Sequence, residues 1–246
     1  ENIKIWEGPK LTQDEARDIS GIAEVQWNKT LQTVFDLLMT QAENVYLNTN
    51  EHLRAAKRIA NKPEQFVQWC FEQYPLHQYN RLAPLMQQLR TIKEEEEIDI
   101  IKTACDITAK GFNRALKAVK PGVKEYEIEV EILHEFIINQ SRGFAYEPII
   151  GRGGNSCILH YVQNNDQCRD GDILFMDIGA EYANYNADLS RALPVNGKFS
   201  KRQREVYHAV WRVQQESMKI MQPGLTMDQY REEVGKIMED ELIRLK

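Results

Sequence analysis

The segment of residues 177–191, DIGAEYANYNADLSR, constrains the fold of this chain more than any other stretch. It follows the apolar run ILFM and places two aspartates, Asp177 and Asp188, on either side of a small polar turn. Aspartate is uncommon in strands, and its carboxylate is costly to bury without a partner. A strand that ends on one carboxylate and is followed by a second therefore points to a specific role for the pair.

A two-residue hairpin turn would bring the two aspartates onto one face of a sheet. If the turn is centred on Tyr182-Ala183, Asp177 faces Asp188 directly. If it is centred on Ala183-Asn184, Asp188 faces Gly179, which lies on the same side of its strand as Asp177. Both registers predict neighbouring carboxylates, whereas a three-residue loop would separate them.

Three explanations of such a carboxylate pair are open on physical grounds. The two groups could bind a pair of hard divalent metal ions, which would remove their mutual repulsion. They could form the acid/base pair of a glycosidase. They could also have a structural role only, reaching solvent or pairing with Arg191.

The rest of the chain predicts an α+β protein. Residues 1–90 are interpreted as a mixed α/β segment, and short apolar runs separated by Gly and Asn predict strands and hairpins over 144–195. Helical periodicity predicts four longer helices, over 91–122, 125–140, 200–221 and from about 226 to the end. For the second helix we assign the buried side to Tyr126, Val130, Leu133 and Ile137.

Two of the predicted helical regions resemble each other in sequence and suggest an internal repeat. Residues 116–137 and 218–243 share one plan, a helix, a Pro-Gly pair and a second helix bearing a tyrosine. We interpret this as duplication of a helix–helix–strands unit, the alternative being two unrelated helical hairpins that both stop at Pro-Gly. Duplication predicts further strands beyond Lys246, and Glu1 is not a methionine, so we expect a chain truncated at both ends.

Composition narrows the class of protein. With 246 residues, 42% hydrophobic and 28% charged, the chain has the balance of a globular protein. A net charge of −6 without a basic cluster argues against nucleic acid as a partner, and no apolar stretch is long enough to span a membrane. The four cysteines lack metal-binding spacing, so we expect reduced thiols and a cytoplasmic location.

His160 is the histidine most suggestive of a site. It lies in the apolar run CILHYV, which we interpret as a strand after the glycine-rich turn GRGGN, one strand before Asp177. A histidine in an apolar strand can equally be a core residue. We assign structural roles to the remaining histidines, which are His52, His77, His134 and His208.

Three segments together resemble the Xaa-Pro aminopeptidases (aminopeptidase P), of the pita-bread metallopeptidase superfamily that includes methionine aminopeptidase, prolidase and creatinase. The segments are IKEEEEIDIIKTACDITAKGF, PIIGRGGNSCILHYVQN and GDILFMDIGAEYANYNADLSRALPVNGKFSKRQREVY. The resemblance implies that residues 91–246 are the first half of a pita-bread catalytic domain. Residues 1–90 would then be the later part of the α/β domain that precedes it.

The resemblance also implies a site for two divalent metal ions, usually manganese, with cobalt, zinc or iron as alternatives. Asp177 would bind one metal, Asp188 would bridge both, and His160 would line the substrate site as a catalytic residue. The remaining ligands, one histidine and two glutamates, would lie beyond Lys246. Two aspartates alone should bind such ions weakly or not at all, and the half domain should leave apolar sheet surface uncovered.

The function predicted is therefore that of a metal-dependent aminopeptidase that removes an N-terminal residue preceding proline. This chain alone is expected to be inactive, and the full-length protein is expected to form homo-oligomers. The alternatives are a prolidase, which would require dipeptides, a creatinase-like enzyme without metal, and a non-catalytic binding module of the same fold. In the last two classes of protein, we would expect residues other than aspartate at positions 177 and 188.

Overall fold

A computed structural model describes residues 2–51 and 61–246, which form two compact units, Glu1–Lys93 and Glu94–Lys246. This division lies three residues from the boundary expected from the sequence. The assignment of the two units to an N-terminal and a catalytic domain stays a prediction.

The first unit is a small α/β arrangement around two parallel strands, in which Asn44 pairs with Gln78. Phe35, Phe66, Trp69 and Tyr74 form an aromatic cluster with ring centroids 5.4–5.9 Å apart. The elements are α1 (Asn2–Glu7), α2 (Gln13–Ser20), a 3-10 helix (Asn28–Thr30), α3 (Leu31–Met39), β1 (Asn44–Leu47), α4 (Lys62–Gln73), β2 (Gln78–Arg81) and α5 (Ala83–Thr91).

The second unit contains the four long helices expected from the sequence and two small antiparallel sheets. One sheet has the strand order β4-β5-β8 and the other β3-β6-β7. The elements are α6 (Glu95–Ala118), α7 (Glu125–Ile138), β3 (Gly143–Phe144), β4 (Ile149–Arg152), a 3-10 helix (Gly153–Cys157), β5 (Ile173–Ile178), β6 (Ala180–Tyr182), β7 (Tyr185–Asn186), β8 (Leu189–Pro194), α8 (Lys201–Ile220) and α9 (Met227–Arg244).

The core of the second unit lies between helix α7 and one face of strand β5. Burial alternates along β5, so that Leu174, Met176 and Ile178 are inaccessible to solvent. They belong to one apolar cluster with side chains of α7, namely Ile128, Ile132 and Phe136. The alternation leaves Asp177 on the opposite, partly open face of the strand.

Our prediction of which side of α7 is buried is wrong. Val130 is 60% exposed, and Tyr126, Leu133 and Ile137 are also exposed. The helix is apolar on both sides, so its 3.6-residue period fits two faces equally well. Which face is covered is decided by the sheet, whose side chains meet the row that begins at Ile128.

The partly open face of β5 carries apolar side chains as well as Asp177. That a half domain leaves such sheet surface uncovered stays a prediction. Ile173 and Phe175 line a cavity of about 780 Å³ together with Val206, Val210 and Trp211 of α8.

No helix among the described residues is both long and apolar enough to cross a membrane. All four cysteines are free, two of them buried and two exposed.

Candidate metal and substrate site

The hairpin has the second of the two expected registers. Strand β5 pairs Asp177 with Ser190 and Ile178 with Leu189, and past these pairs Glu181 faces Asn186. The same register therefore places Asp188 opposite Gly179. The turn is Ala183-Asn184, where φ is 49° and 66°, the backbone of a type I′ hairpin turn.

Both carboxylates lie on one side of the hairpin and reach the same hydroxyl group. The Oη of Tyr146 donates to Oδ1 of Asp177 at 2.6 Å and lies 3.3 Å from Oδ1 of Asp188. The carboxylate oxygens of two residues eleven positions apart are thus brought within reach of one atom. The sequence-based prediction that they share one face is confirmed.

Tyr146 was not identified from the sequence as a site residue. It precedes β4, the strand that pairs Ile149 with Asp177, and the amide of Ala145 donates to the carbonyl of Gly179 at 2.8 Å. Burial, together with the hydrogen bond to Asp177, raises the pKa of Tyr146 far above its usual range. The hydroxyl therefore keeps its proton at neutral pH and acts as a donor.

Gly179 is required by this geometry. A Cβ built on it would lie 1.8 Å from the carbonyl oxygen of Ala187 and 3.1 Å from the ring of Tyr146. Ala187 in turn donates its amide to the carbonyl of Ala180 at 3.0 Å. The absence of a side chain at Gly179 lets the returning strand and the tyrosine ring approach together.

The hypothesis that the two aspartates pair with Arg191 is wrong. Its guanidinium donates to the carbonyl oxygen of Ser190 at 2.7 Å, and Arg191 lies opposite Met176, on the other side of the strand from Asp177. Within the ranges 2–51 and 61–246, no cation lies within ion-pair distance of either aspartate. In the part of the chain that the structure describes, the hydroxyl of Tyr146 is the only group within hydrogen-bond distance of both carboxylates.

His160 does not lie in a strand, in contrast to our interpretation. GRGGN forms the end of β4 and the start of the 3-10 helix Gly153–Cys157, and His160 is exposed on the turn that follows. In the described part of the chain, no hydrogen bond joins it to either aspartate. The apolar residues beside it, Ile158 and Leu159, are exposed, so their run does not report a buried strand.

Three of the other histidines lie within the described residues. His77 contacts the carbonyl of Met39 at 2.7 Å, His134 and His208 are exposed, and His52 lies outside the described residues.

The donor chemistry of the hairpin fits a hard divalent cation, since carboxylate oxygens are the ligands that such ions prefer. The number of donors does not complete a site. No group of three or more His, Cys, Asp or Glu side chains with metal-binding geometry occurs among the described residues. Asp177 and Asp188 are thus a pair of candidate ligands.

Comparison with known proteins assigns the family. The model of metallopeptidase family M24 matches residues 99–245. The chain is 33% identical to the Xaa-Pro aminopeptidase of Escherichia coli K12, covering 98% of this chain and 55% of that protein. It is 40% identical to the Xaa-Pro aminopeptidase of Haemophilus influenzae, covering 99% of this chain and 54% of that protein.

Solved structures agree with the sequence comparison. The low-pH form of E. coli aminopeptidase P matches with a TM-score of 0.86 at 32% identity, and proline aminopeptidase P II of Yersinia pestis with 0.83 at 31%. Each match covers 99% of this chain and 56% of the other. The chain spans about half the length of the curated relatives it matches.

These matches confirm the resemblance to the Xaa-Pro aminopeptidases and the α+β fold class of a partial pita-bread domain. The family match covers most of α6, all of α7–α9 and the hairpin that holds both aspartates. The chain belongs to metallopeptidase family M24.

Proposed function

We propose that the complete protein is a metal-dependent aminopeptidase that removes an N-terminal residue followed by proline. The observation that carries this proposal is the convergence of Asp177 and Asp188 on the hydroxyl of Tyr146. The names of the relatives, Xaa-Pro aminopeptidases, supply the substrate class. The cytoplasm is the proposed location, which suits four free thiols.

Asp177 and Asp188 would hold two divalent ions, with manganese as the first choice. Zinc occupies one solved E. coli aminopeptidase P in complex with product, so metals of this class are alternatives. When bound, such ions supply Lewis acidity and an activated water for peptide hydrolysis. Tyr146 would orient Asp177 by donating its proton to Oδ1, which leaves the other carboxylate oxygens free for the cation.

His160 would act on the substrate side. An exposed imidazole can donate an N–H to a peptide carbonyl oxygen as negative charge develops on it, which lowers the barrier to hydrolysis. The acidic pair would also attract the free amino group of the peptide. This chain by itself would bind metal weakly and would be inactive, because two carboxylates compete poorly with water for a pair of hard ions.

Calorimetric titration with manganese tests the metal part of the proposal. We expect weak binding to this chain that disappears in Asp177→Asn and Asp188→Asn, whereas Asp170→Asn, a change at an exposed aspartate outside the hairpin, should leave it intact. Binding that is unchanged by both hairpin substitutions would contradict the proposal.

Peptide hydrolysis tests the substrate part. Release of the first residue from an Xaa-Pro tripeptide should be undetectable with this chain and manganese, and present in the protein that carries the full ligand set. Turnover by a homogeneous sample of this chain would refute the predicted inactivity. Cleavage of Xaa-Pro dipeptides alone by the complete protein would identify a prolidase instead.

A further inference from the structure

A fully buried carboxylate, Glu125, lies at the first residue of helix α7, outside the aspartate hairpin. A buried carboxylate is stable only when hydrogen bonds replace its lost hydration. Four donors do so here. The backbone amides of Arg152 and Asp166 donate at 2.8 and 2.9 Å, the hydroxyl of Tyr161 at 2.7 Å and the side-chain amide of Asn155 at 3.2 Å.

All four donors belong to one segment, residues 152–166, which carries His160. Arg152 ends strand β4 and Asp166 closes the segment, so one carboxylate holds both ends of it. Tyr161 is the residue directly after His160. Glu125 therefore holds the segment at Tyr161, next to the imidazole, and also at its two ends, Arg152 and Asp166.

A second buried polar residue, Asn164, ties the same segment to the sheet of the aspartates. Its Oδ1 accepts the amide of Ile150 at 3.0 Å, and its Nδ2 donates to the carbonyl of Pro148 and to Glu129, both at 2.9 Å. Ile150 belongs to β4, and the residue before it in that strand, Ile149, pairs with Asp177. Asn164 thus fixes the segment to β4, the strand that pairs with the strand carrying Asp177.

The side chains at the tip of the segment are exposed. Leu159 is 89% exposed, and Ile158 and His160 are also exposed. The backbone of Asn155 and Ser156 approaches Gly151 so closely that a Cβ there would meet it at 3.0–3.1 Å, which fixes the start of the segment. Beyond the exposed tip, the chain is anchored by Tyr161 and Asn164, both of which are buried and hydrogen-bonded.

We infer that Glu125 is a positioning residue for His160, acting through Tyr161 and Asn155 to set where the 152–166 segment presents the imidazole. The inference rests on the proposed function in treating His160 as a substrate-facing group. Its test measures position and order, and does not require activity.

A carboxylate suits this role better than an amide. Each oxygen of Glu125 accepts two donors, so all four donors are satisfied. Glutamine has one acceptor oxygen and would turn its NH2 group toward two of these donors. Burial and the nearby carboxylate raise the pKa of Tyr161 to about 12, so its hydroxyl keeps the proton that it donates.

The test compares Glu125→Gln and Tyr161→Phe with Glu131→Gln, a matched control on the same helix whose half-exposed carboxylate pairs with Arg114. Amide hydrogen exchange and the ring signals of His160 in NMR spectra are measured on this chain. We expect exchange over 153–166 to become about tenfold faster or more in Glu125→Gln, because two buried donors lose their acceptor. The ring signals of His160 should shift.

Tyr161→Phe should produce a smaller change at the same place, and it keeps the test valid if Glu125→Gln fails to fold. The hairpin amides of 177–190 should exchange at wild-type rates in both variants, and Glu131→Gln should leave the segment and His160 unchanged. Unaltered exchange and ring signals in the two test variants would overturn the inference. A uniform loss of protection across Glu94–Lys246 would also overturn it, because Glu125 would then be a stabilising residue only.

The inference and the proposed function can fail separately. Aspartate-independent manganese binding would contradict the proposed function and leave the exchange result standing. Normal aspartate-dependent binding with an unaltered His160 segment would contradict the inference alone.

Discussion

The hydroxyl of Tyr146 donates its one proton to the carboxylate of Asp177, at 2.6 Å. The second carboxylate, that of Asp188, lies at 3.3 Å from the same oxygen and belongs to an exposed residue. One hydroxyl cannot donate to both carboxylates at once. The hairpin therefore combines a carboxylate held by a neutral donor with one that is open to a cation.

Tyr146→Phe should lower the free energy of unfolding by about 1–2 kcal/mol, since a carboxylate loses a donated hydrogen bond beside another negative charge. Manganese should recover part of that loss if the aspartates bind it. Urea unfolding with and without manganese measures both effects. Tyr126→Phe, at an exposed tyrosine of α7, is the control. An equal loss in the two variants would contradict the assigned role of Tyr146.

Gly179→Ala should destabilise the hairpin by about 1–3 kcal/mol, because the new methyl group meets the carbonyl of Ala187. The displacement should also move Asp188 and reduce manganese binding. Gly235→Ala in helix α9 is the matched control, since nothing lies within 4 Å of its Cβ position. That change should stabilise the protein by about 0.5–1 kcal/mol, as alanine is the better helix former. In thermal unfolding, the midpoint temperature should fall in Gly179→Ala and rise in Gly235→Ala.

Thr108→Val should cost about 1–3 kcal/mol although the two side chains have similar shapes. The buried hydroxyl of Thr108 accepts the amide of Ala180 at 2.9 Å and donates to the carbonyl of Ala104 at 2.9 Å. Valine would leave the amide at the start of β6 buried without an acceptor.

Thr103→Val provides the comparison for this change. Its hydroxyl donates only to the carbonyl of Asp99 on the same helix, at 2.9 Å, so its loss should have a small effect. Faster exchange of the Ala180 amide in Thr108→Val, measured by NMR, would locate the damage. Wild-type protection of that amide would count against the contact.

Glu241→Gln should flatten the acid dependence of stability. Hydrogen bonds from Arg212 of α8 hold the pKa of this buried carboxyl below its ordinary value of 4.5. Its contribution is therefore present above pH 4.5 and is lost as the pH falls through the folded-state pKa. The variant should be less stable than wild type at pH 7 and should lack this acid-dependent component.

Urea unfolding of wild type and variant between pH 7 and pH 3 measures the difference. Glu233→Gln, on the same helix, removes only an exposed pair with Lys236 and should keep the wild-type acid profile. Parallel profiles of Glu241→Gln and wild type would show that the α8–α9 pair does not contribute to acid sensitivity.

The helices and the hairpin could be predicted from the sequence because their signals are local. Pro121-Gly122 and Pro223-Gly224 mark the turns between the helices of each pair, and Ala183-Asn184 can adopt the left-handed backbone of a two-residue turn. The strand period of two then places Asp177 and Asp188 on one face. The family resemblance rested on three segments, one of which contains this hairpin.

The covered face of α7 could not be predicted, because the helix is apolar on two sides and only the sheet selects between them. The error at His160 has a related cause. An apolar run was interpreted as a strand, whereas its apolar side chains are exposed and buried polar residues hold the turn. Apolar character alone does not distinguish these cases, because burial depends on what packs against the run.

The sequence by itself determined the long helices, the parity of the hairpin and the pair of candidate acidic ligands, since these depend on residues close together in the chain. Only the tertiary structure decided that Tyr146 would meet both aspartates and that Glu125 would be buried beneath the segment of His160. The partners in these contacts are 31 to 42 positions apart in the chain. Their meeting depends on strand order and helix packing, which no local pattern specifies.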